Sequence, residues 1–165
     1  MKVSVLSPVI FIAAIAMLLS GCATTVGAPT TQNPSGITIG QAWARPSSLM
    51  ASGSMGSMEM LTSAAYLTIR NGGPADRLTA AEGDIAKTIE VHQTTMAAGI
   101  AKMEMVKAID IPVNGSVDLK PGGYHIMLIQ PVRELKPGDT FSLTLVFEKA
   151  GRKQVPITVQ AQAPS

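Results

Sequence analysis

One cysteine, Cys22, is all the chain has, and it stands directly behind an apolar N-terminal run. That excludes a disulfide framework, and it excludes a thiolate nucleophile or a cysteine-built metal site anywhere downstream. Charge blocks are also missing. There are 13 Lys and Arg against 11 Asp and Glu; without Lys2 the balance is 12 against 11, a net +1. With no run of like charge, a nucleic-acid partner or a polybasic membrane surface is not expected. No long segment has a helical period, and no internal repeat is present. The chain has no Ser-centred nucleophile elbow, no carboxylate pair at a recognisable spacing and no Gly-rich phosphate loop, so it does not read as an enzyme.

What is present begins with "MKVSVLSPVIFIAAIAMLLSGC": one positive charge, an apolar run from Val3 to Leu19, then small residues. That is the layout of a secretory signal peptide over 1–21. The alternative is an uncleaved membrane anchor, but a run of about 17 residues lies near the lower limit for spanning, and Pro8 interrupts it. Leu19-Ser20-Gly21-Cys22 resembles the bacterial lipobox, which implies cleavage before Cys22 and a lipid on its sulfur. Residues 22–36, small, polar and rich in Pro and Gly, then read as a flexible tether. The expected location is extracytoplasmic and lipid-anchored, in the periplasm or on the outer face of the cell membrane.

From Ile37 the pattern is short segments between turn signals. Strands are expected at 37–44, 64–70, 77–83, 87–94, 100–107, 116–120, 124–130, 141–148 and 154–160. "NGGPAD", "VNG", "KPGG", "LKPGD" and "KAGRK" supply the turns. Eight to nine short strands at this spacing predict an antiparallel β-sandwich or barrel over 37–161, with a short tail at 162–165. Residues 45–63, "RPSSLMASGSMGSMEMLTS", lack a strand pattern and read as a long, Met-rich loop; loops of this length are often functional.

The chain has only two histidines, and both lie among methionines. Behind the signal peptide, Met50, Met55, Met58 and Met60 form one group, and Met96, Met103, Met105 and Met127 the other. The apolar strands near the C-terminus contain none, whereas methionine used only to fill gaps would scatter more evenly. In "YHIMLIQ", alternation puts His125 and Met127 on one face and Ile126 and Leu128 on the other. Taken alone, Met127 is ordinary core filling and His92 a solvated polar residue; together, the two clusters point to a metal.

His92 sits in a hairpin that turns near Ala97-Ala98-Gly99. A two-residue loop at 97–98 would set His92 opposite Met103. A three-residue loop ending at Gly99 would set it opposite Glu104. Both registers remain open on the sequence. Two thioethers with two imidazoles suit Cu(I); Ca(II), Mg(II) and Mn(II) want oxygen, and Zn(II) prefers thiolate or more histidine. A blue-copper centre needs a cysteine that the domain lacks.

The spacing His92-x10-Met103-x21-His125-x-Met127 resembles the motif of the periplasmic PCu(A)C-type copper chaperones, and "LKPGGYHIMLI" their signature stretch. "QAWARP", "AAYLTIRNGG", "IEVHQTTM" and "LKPGDTFSLTLVFE" follow the family's order, so the resemblance covers about 37 to 160. It implies a cupredoxin-like Greek-key fold and one Cu(I) held by His92, Met103, His125 and Met127. It also implies a monomeric carrier that supplies the CuA centre of cytochrome c oxidase subunit II or its assembly factors. The Met-rich loop is longer than the family's corresponding segment, which makes Met50, Met55, Met58 and Met60 accessory candidates; incidental methionines in a solvated loop are the alternative. Storage or resistance without a delivery partner is the competing function, and a metal-free surface module a third.

Overall fold

The computed structural model describes residues 36–51 and 59–164. Within them the chain is all-β, with eleven strands: β1 (Ile37–Ala44), β2 (Ser48–Ala51), β3 (Glu59–Asn71), β4 (Asp76–Glu82), β5 (Ala86–Ala97), β6 (Ile100–Met105), β7 (Ile109–Ile111), β8 (Ser116–Leu119), β9 (Tyr124–Pro131), β10 (Thr140–Phe147) and β11 (Gly151–Val159). Hydrogen-bonded neighbours run β6-β5-β9-β8-β3-β1-β11-β10-β4-β7, with β2 on β3 and a further β9–β3 pairing.

Two expectations are corrected. The strands number eleven, because Ile109–Ile111 is too short to show a period and because β2 lies inside the segment read as a loop. The sheet is mixed: β1 pairs parallel to β11 at Trp43↔Thr158, and β8 meets β9 in parallel at Leu119↔Tyr124. Apolar periodicity reveals which residues are extended, but not which distant strand lies alongside.

The reading of 45–63 as a loop is also revised. Leu49 pairs with Leu61 and Met50 with Met60, so this segment and an N-terminal extension of β3 form a hairpin. No apolar alternation marks it, since Leu49 is exposed. Three polar contacts pin it instead: Thr62 Oγ1 to the Ser48 carbonyl (3.3 Å), Ser63 Oγ to the Arg45 carbonyl (2.7 Å), and the Leu135 amide to Ser47 Oγ (2.8 Å).

One apolar cluster, filled from β1, β3, β4, β5 and β7 to β11, forms the core. Leu143 and Leu145 of β10 and Val155, Ile157 and Val159 of β11 enter it at every second position, the strand period. In β9, Ile126 and Leu128 are fully buried in it. Burying such a side chain stabilises the fold by about 1.5–3 kcal/mol, which fixes the register of β9 against a one-residue slip. That register determines what the opposite face of β9 carries.

Candidate functional site

The face of β9 opposite the core holds His125 and Met127, and β9 lies between β5 and β3. His125 is directly opposite His92 of β5, and Met127 is opposite Glu90 on one side and Ala64 on the other. The two imidazole centroids are 5.9 Å apart, with ring planes inclined at 64°. His125 is 3% exposed and Met127 8%.

Each ring has one nitrogen engaged. His125 Nδ1 donates to the Gly123 carbonyl at 3.0 Å. A carbonyl can only accept, so Nδ1 carries the proton and Nε2 of the neutral ring keeps its lone pair. His92 Nε2 lies 2.8 Å from Glu90 Oε2; a carboxylate accepts, so Nε2 carries a proton and Nδ1 is the nitrogen left to coordinate. Those two nitrogens, His92 Nδ1 and His125 Nε2, are buried and have no hydrogen-bond partner among the described residues. Unsatisfied buried polar atoms are uncommon and costly, about 1–3 kcal/mol each, so two on adjacent rings call for an explanation.

The "KPGG" turn builds this arrangement. Gly123 N bonds the Lys120 carbonyl at 3.0 Å, and Gly122 takes φ +79°, so Pro121-Gly122 occupies the centre of a type II turn. The Gly123 carbonyl then accepts from both Thr94 N (3.0 Å) and His125 Nδ1. One carbonyl ties β5, the turn and the histidine together.

Both hairpin registers considered for β5–β6 are overturned. His92 pairs with Met105, and Met103 pairs with Thr94. The loop is Ala98-Gly99, with φ of 50° and 79°, the two positive values of a type I′ turn. The right-handed strand twist favours that turn even with alanine in its first position. Because the slip relative to the His92–Met103 register is two residues, Met103 still faces the same side as His92, diagonally placed. Met103, His125 and Met127 line one cavity of about 220 Å³ together with Thr94, Tyr66 and Arg45.

Tyr66 stands beside His125, with centroids 6.4 Å apart, and Trp43 packs on Tyr66 at 4.7 Å. The Arg45 guanidinium lies 5.5 Å from the Tyr66 ring centre. Burial, seconded by His92 and Arg45, lowers the His125 pKa below its ordinary value against the opposing pull of the Gly123 carbonyl. The ring is therefore held neutral, the form that coordinates.

Sequence reasoning missed Glu90 and Gly123 as orienting groups. Each lies two residues before its histidine, the same-face spacing of a strand, and that was the available signal. Among the accessory candidates, Met60 accepts from Gln130 Nε2 at 3.3 Å and pairs in register with Met50. Met55 and Met58 lie outside the described residues, as does Cys22. Among the described residues, no three His, Cys, Asp or Glu side chains are placed to hold one metal ion, so a hard cation finds no cage. Two lone-pair imidazoles with thioethers beside them could hold a soft one.

A family model described as "Putative lipoprotein LpqE-like" matches residues 37–159. The uncharacterized protein RP573 of Rickettsia prowazekii is 35% identical over 129 residues, covering 75% of this chain and 66%, just under two thirds, of its own length. The putative lipoprotein Lxx21020 of Leifsonia xyli subsp. xyli is 29% identical over 155 residues, covering 90% and 86%. Among solved structures, the copper-bound PCuAC domain from PmoF2 is 26% identical with a TM-score of 0.58, covering 77% of this chain and 94% of that one. The CuI-DR1885 solution structure from Deinococcus radiodurans is 28% identical with a TM-score of 0.53, covering 75% and 79%. The chain belongs to the LpqE-like lipoprotein family, which is of PCuAC type.

Proposed function

We propose that this protein binds one Cu(I) through His92 Nδ1, His125 Nε2 and the thioethers of Met103 and Met127, and carries it to an acceptor outside the cytoplasm. The observation that carries this reading is the pair of buried, unpartnered nitrogens on facing rings. Their other nitrogens are fixed by Glu90 and Gly123, the outer-shell arrangement that orients metal-binding histidines. A site of neutral donors binds without thiolate charge attraction, which suits a carrier that must also release. Relatives described as copper-bound support the choice of metal.

The reading extends to a domain at 37–161 of cupredoxin-like Greek-key form, monomeric, held by a lipid on Cys22 through the tether 22–36 after loss of residues 1–21. A tether of this kind raises the effective concentration of partners at the membrane. The acceptor is the CuA centre of cytochrome c oxidase subunit II or one of its assembly factors. The protein acts as a carrier rather than an enzyme, and nucleic acid is not among its partners.

Copper storage is the second reading, favoured by the pairing of Met50 with Met60. Anaerobic Cu(I) titration with X-ray absorption tests both. One Cu(I) per chain with mixed nitrogen and sulfur ligation supports the carrier, and several per chain support storage. Unchanged affinity and stoichiometry in both His125→Ala and Met127→Ala would sink the site.

A further inference from the structure

His125, His92 and Met105 form a cross-strand row: His125 is directly opposite His92, and His92 is directly opposite Met105. Among the described residues the row ends at Met105, because β6 is the last strand on this side of the sheet. The Val106 amide bonds the Val91 carbonyl at 2.9 Å, which makes 91/106 a hydrogen-bonded pair. The next pair along, His92–Met105, is then of the non-hydrogen-bonded kind, with Cα atoms about 4.5 Å apart and side chains at their closest. Met103 is one such pair further toward the turn, opposite Thr94. In register, His92 thus has a nearer cross-strand methionine than the one at the motif position.

Exposure rises outward along this face. His125 is 3% exposed, Met127 8%, Met103 44% and Met105 65%. A methionine that exposed gains almost no burial, so packing does not account for Met105.

We infer that Met105, directly opposite His92 on the edge strand β6, is an additional soft-metal donor that exchanges with Met103 as Cu(I) enters or leaves. The inference rests on the proposed copper reading. In the exchange, the bond from Met103 sulfur to the ion breaks as the bond from Met105 sulfur forms. Both donors are neutral, so no proton or electron moves, and His92 stays bound throughout. The step brings the ion from a half-covered position to one that an acceptor can reach.

The test uses the full-length protein with Met103→Leu, Met105→Leu and the double variant, since leucine keeps apolar bulk and removes only sulfur. Affinity is measured anaerobically against a chromophoric Cu(I) chelator, and release by the rate of transfer to excess chelator. Met105→Leu is expected to shift affinity less than about threefold and to slow transfer about tenfold, and the double variant to bind about tenfold more weakly than Met103→Leu. Wild-type transfer rate in Met105→Leu, with the double variant equal to Met103→Leu, overturns the inference. Met127→Leu is the control: if it weakens binding while Met105→Leu changes nothing, only this inference falls. If the wild-type protein takes no Cu(I), the functional reading falls with it.

Discussion

His92 Nε2 rests 2.8 Å from Glu90 Oε2, and both residues lie on the site's face of β5. Glu90 is also the direct cross-strand neighbour of Met127, so this one carboxylate stands between a candidate nitrogen donor and a candidate sulfur donor. Replacing it with glutamine keeps the size and removes the charge-assisted acceptor that fixes which nitrogen of His92 carries the proton. The expected result for Glu90→Gln is about a tenfold loss of Cu(I) affinity with little change in melting temperature. Chelator competition alongside thermal denaturation checks it; full affinity in Glu90→Gln would mean that His92 is oriented by something else.

The β5–β6 turn has room for improvement. Ala98 is at φ 50°, a conformation that costs an ordinary L-residue roughly 1 kcal/mol, and the type I′ turn prefers Asn-Gly. Ala98→Asn should therefore stabilise the domain by about 0.5–1 kcal/mol and raise its melting temperature by about 3 °C. Ala98→Val should do the reverse, since a β-branched residue is the poorest fit at positive φ. Ala98→Gly should fall between, because the relief of strain is offset by the greater freedom of glycine in the unfolded chain. Differential scanning calorimetry of the three variants would settle the order.

This same turn shows where the sequence stops being informative. Alternation in "YHIMLIQ" located the face that carries His125 and Met127, because Ile126 and Leu128 bury so much apolar surface that only one register is stable. Nothing comparable constrains β6, whose six residues are all exposed. Its register is set by backbone twist at Ala98-Gly99, and apolar pattern carries no record of that preference. The β2–β3 hairpin was illegible for the same reason: an exposed Leu49 and a run of Ser, Gly and Met hide pairing made by backbone hydrogen bonds. The parallel pairing of β1 with β11 joins opposite ends of the domain and depends on the whole topology.

Asp76 should be a large single contributor to stability away from the site. It is 5% exposed; its Oδ1 accepts from the amides of Arg77 (2.7 Å) and Lys149 (2.9 Å), and its Oδ2 from Ala150 (2.9 Å). Burial pushes its pKa up, but the three amides and the Lys149 charge together outweigh burial and bring it below the ordinary 3.8. Asp76→Ala leaves three donors without this partner and should cost about 2–4 kcal/mol. The sign with pH follows from the lowered folded pKa. The contribution is complete above about pH 4 and is lost as pH falls through the folded value, so Asp76→Ala should flatten the acid limb of the stability profile. Urea denaturation from pH 2 to 7 measures both effects.

His125 gives the opposite half of the pH argument. Burial lowers its pKa below 6.5, so the unfolded chain takes up a proton on this residue at a higher pH than the folded one does. The unfolded state binds more protons between the two values, and stability falls with decreasing pH across that window, below about 6.5. His125→Gln removes the ionisation and should reduce that slope in the metal-free protein, whatever it does to overall stability. A metal takes the neutral ring, so on the proposed copper reading bound Cu(I) should hold His125 deprotonated further into acid and shift its titration lower still. Following the imidazole C–H proton signals of His125 and His92 by NMR, with and without Cu(I), tests both steps. Titration of His125 at or above pH 6.5 in the metal-free protein would contradict its burial, and an unchanged titration on adding Cu(I) would remove it from the coordination sphere.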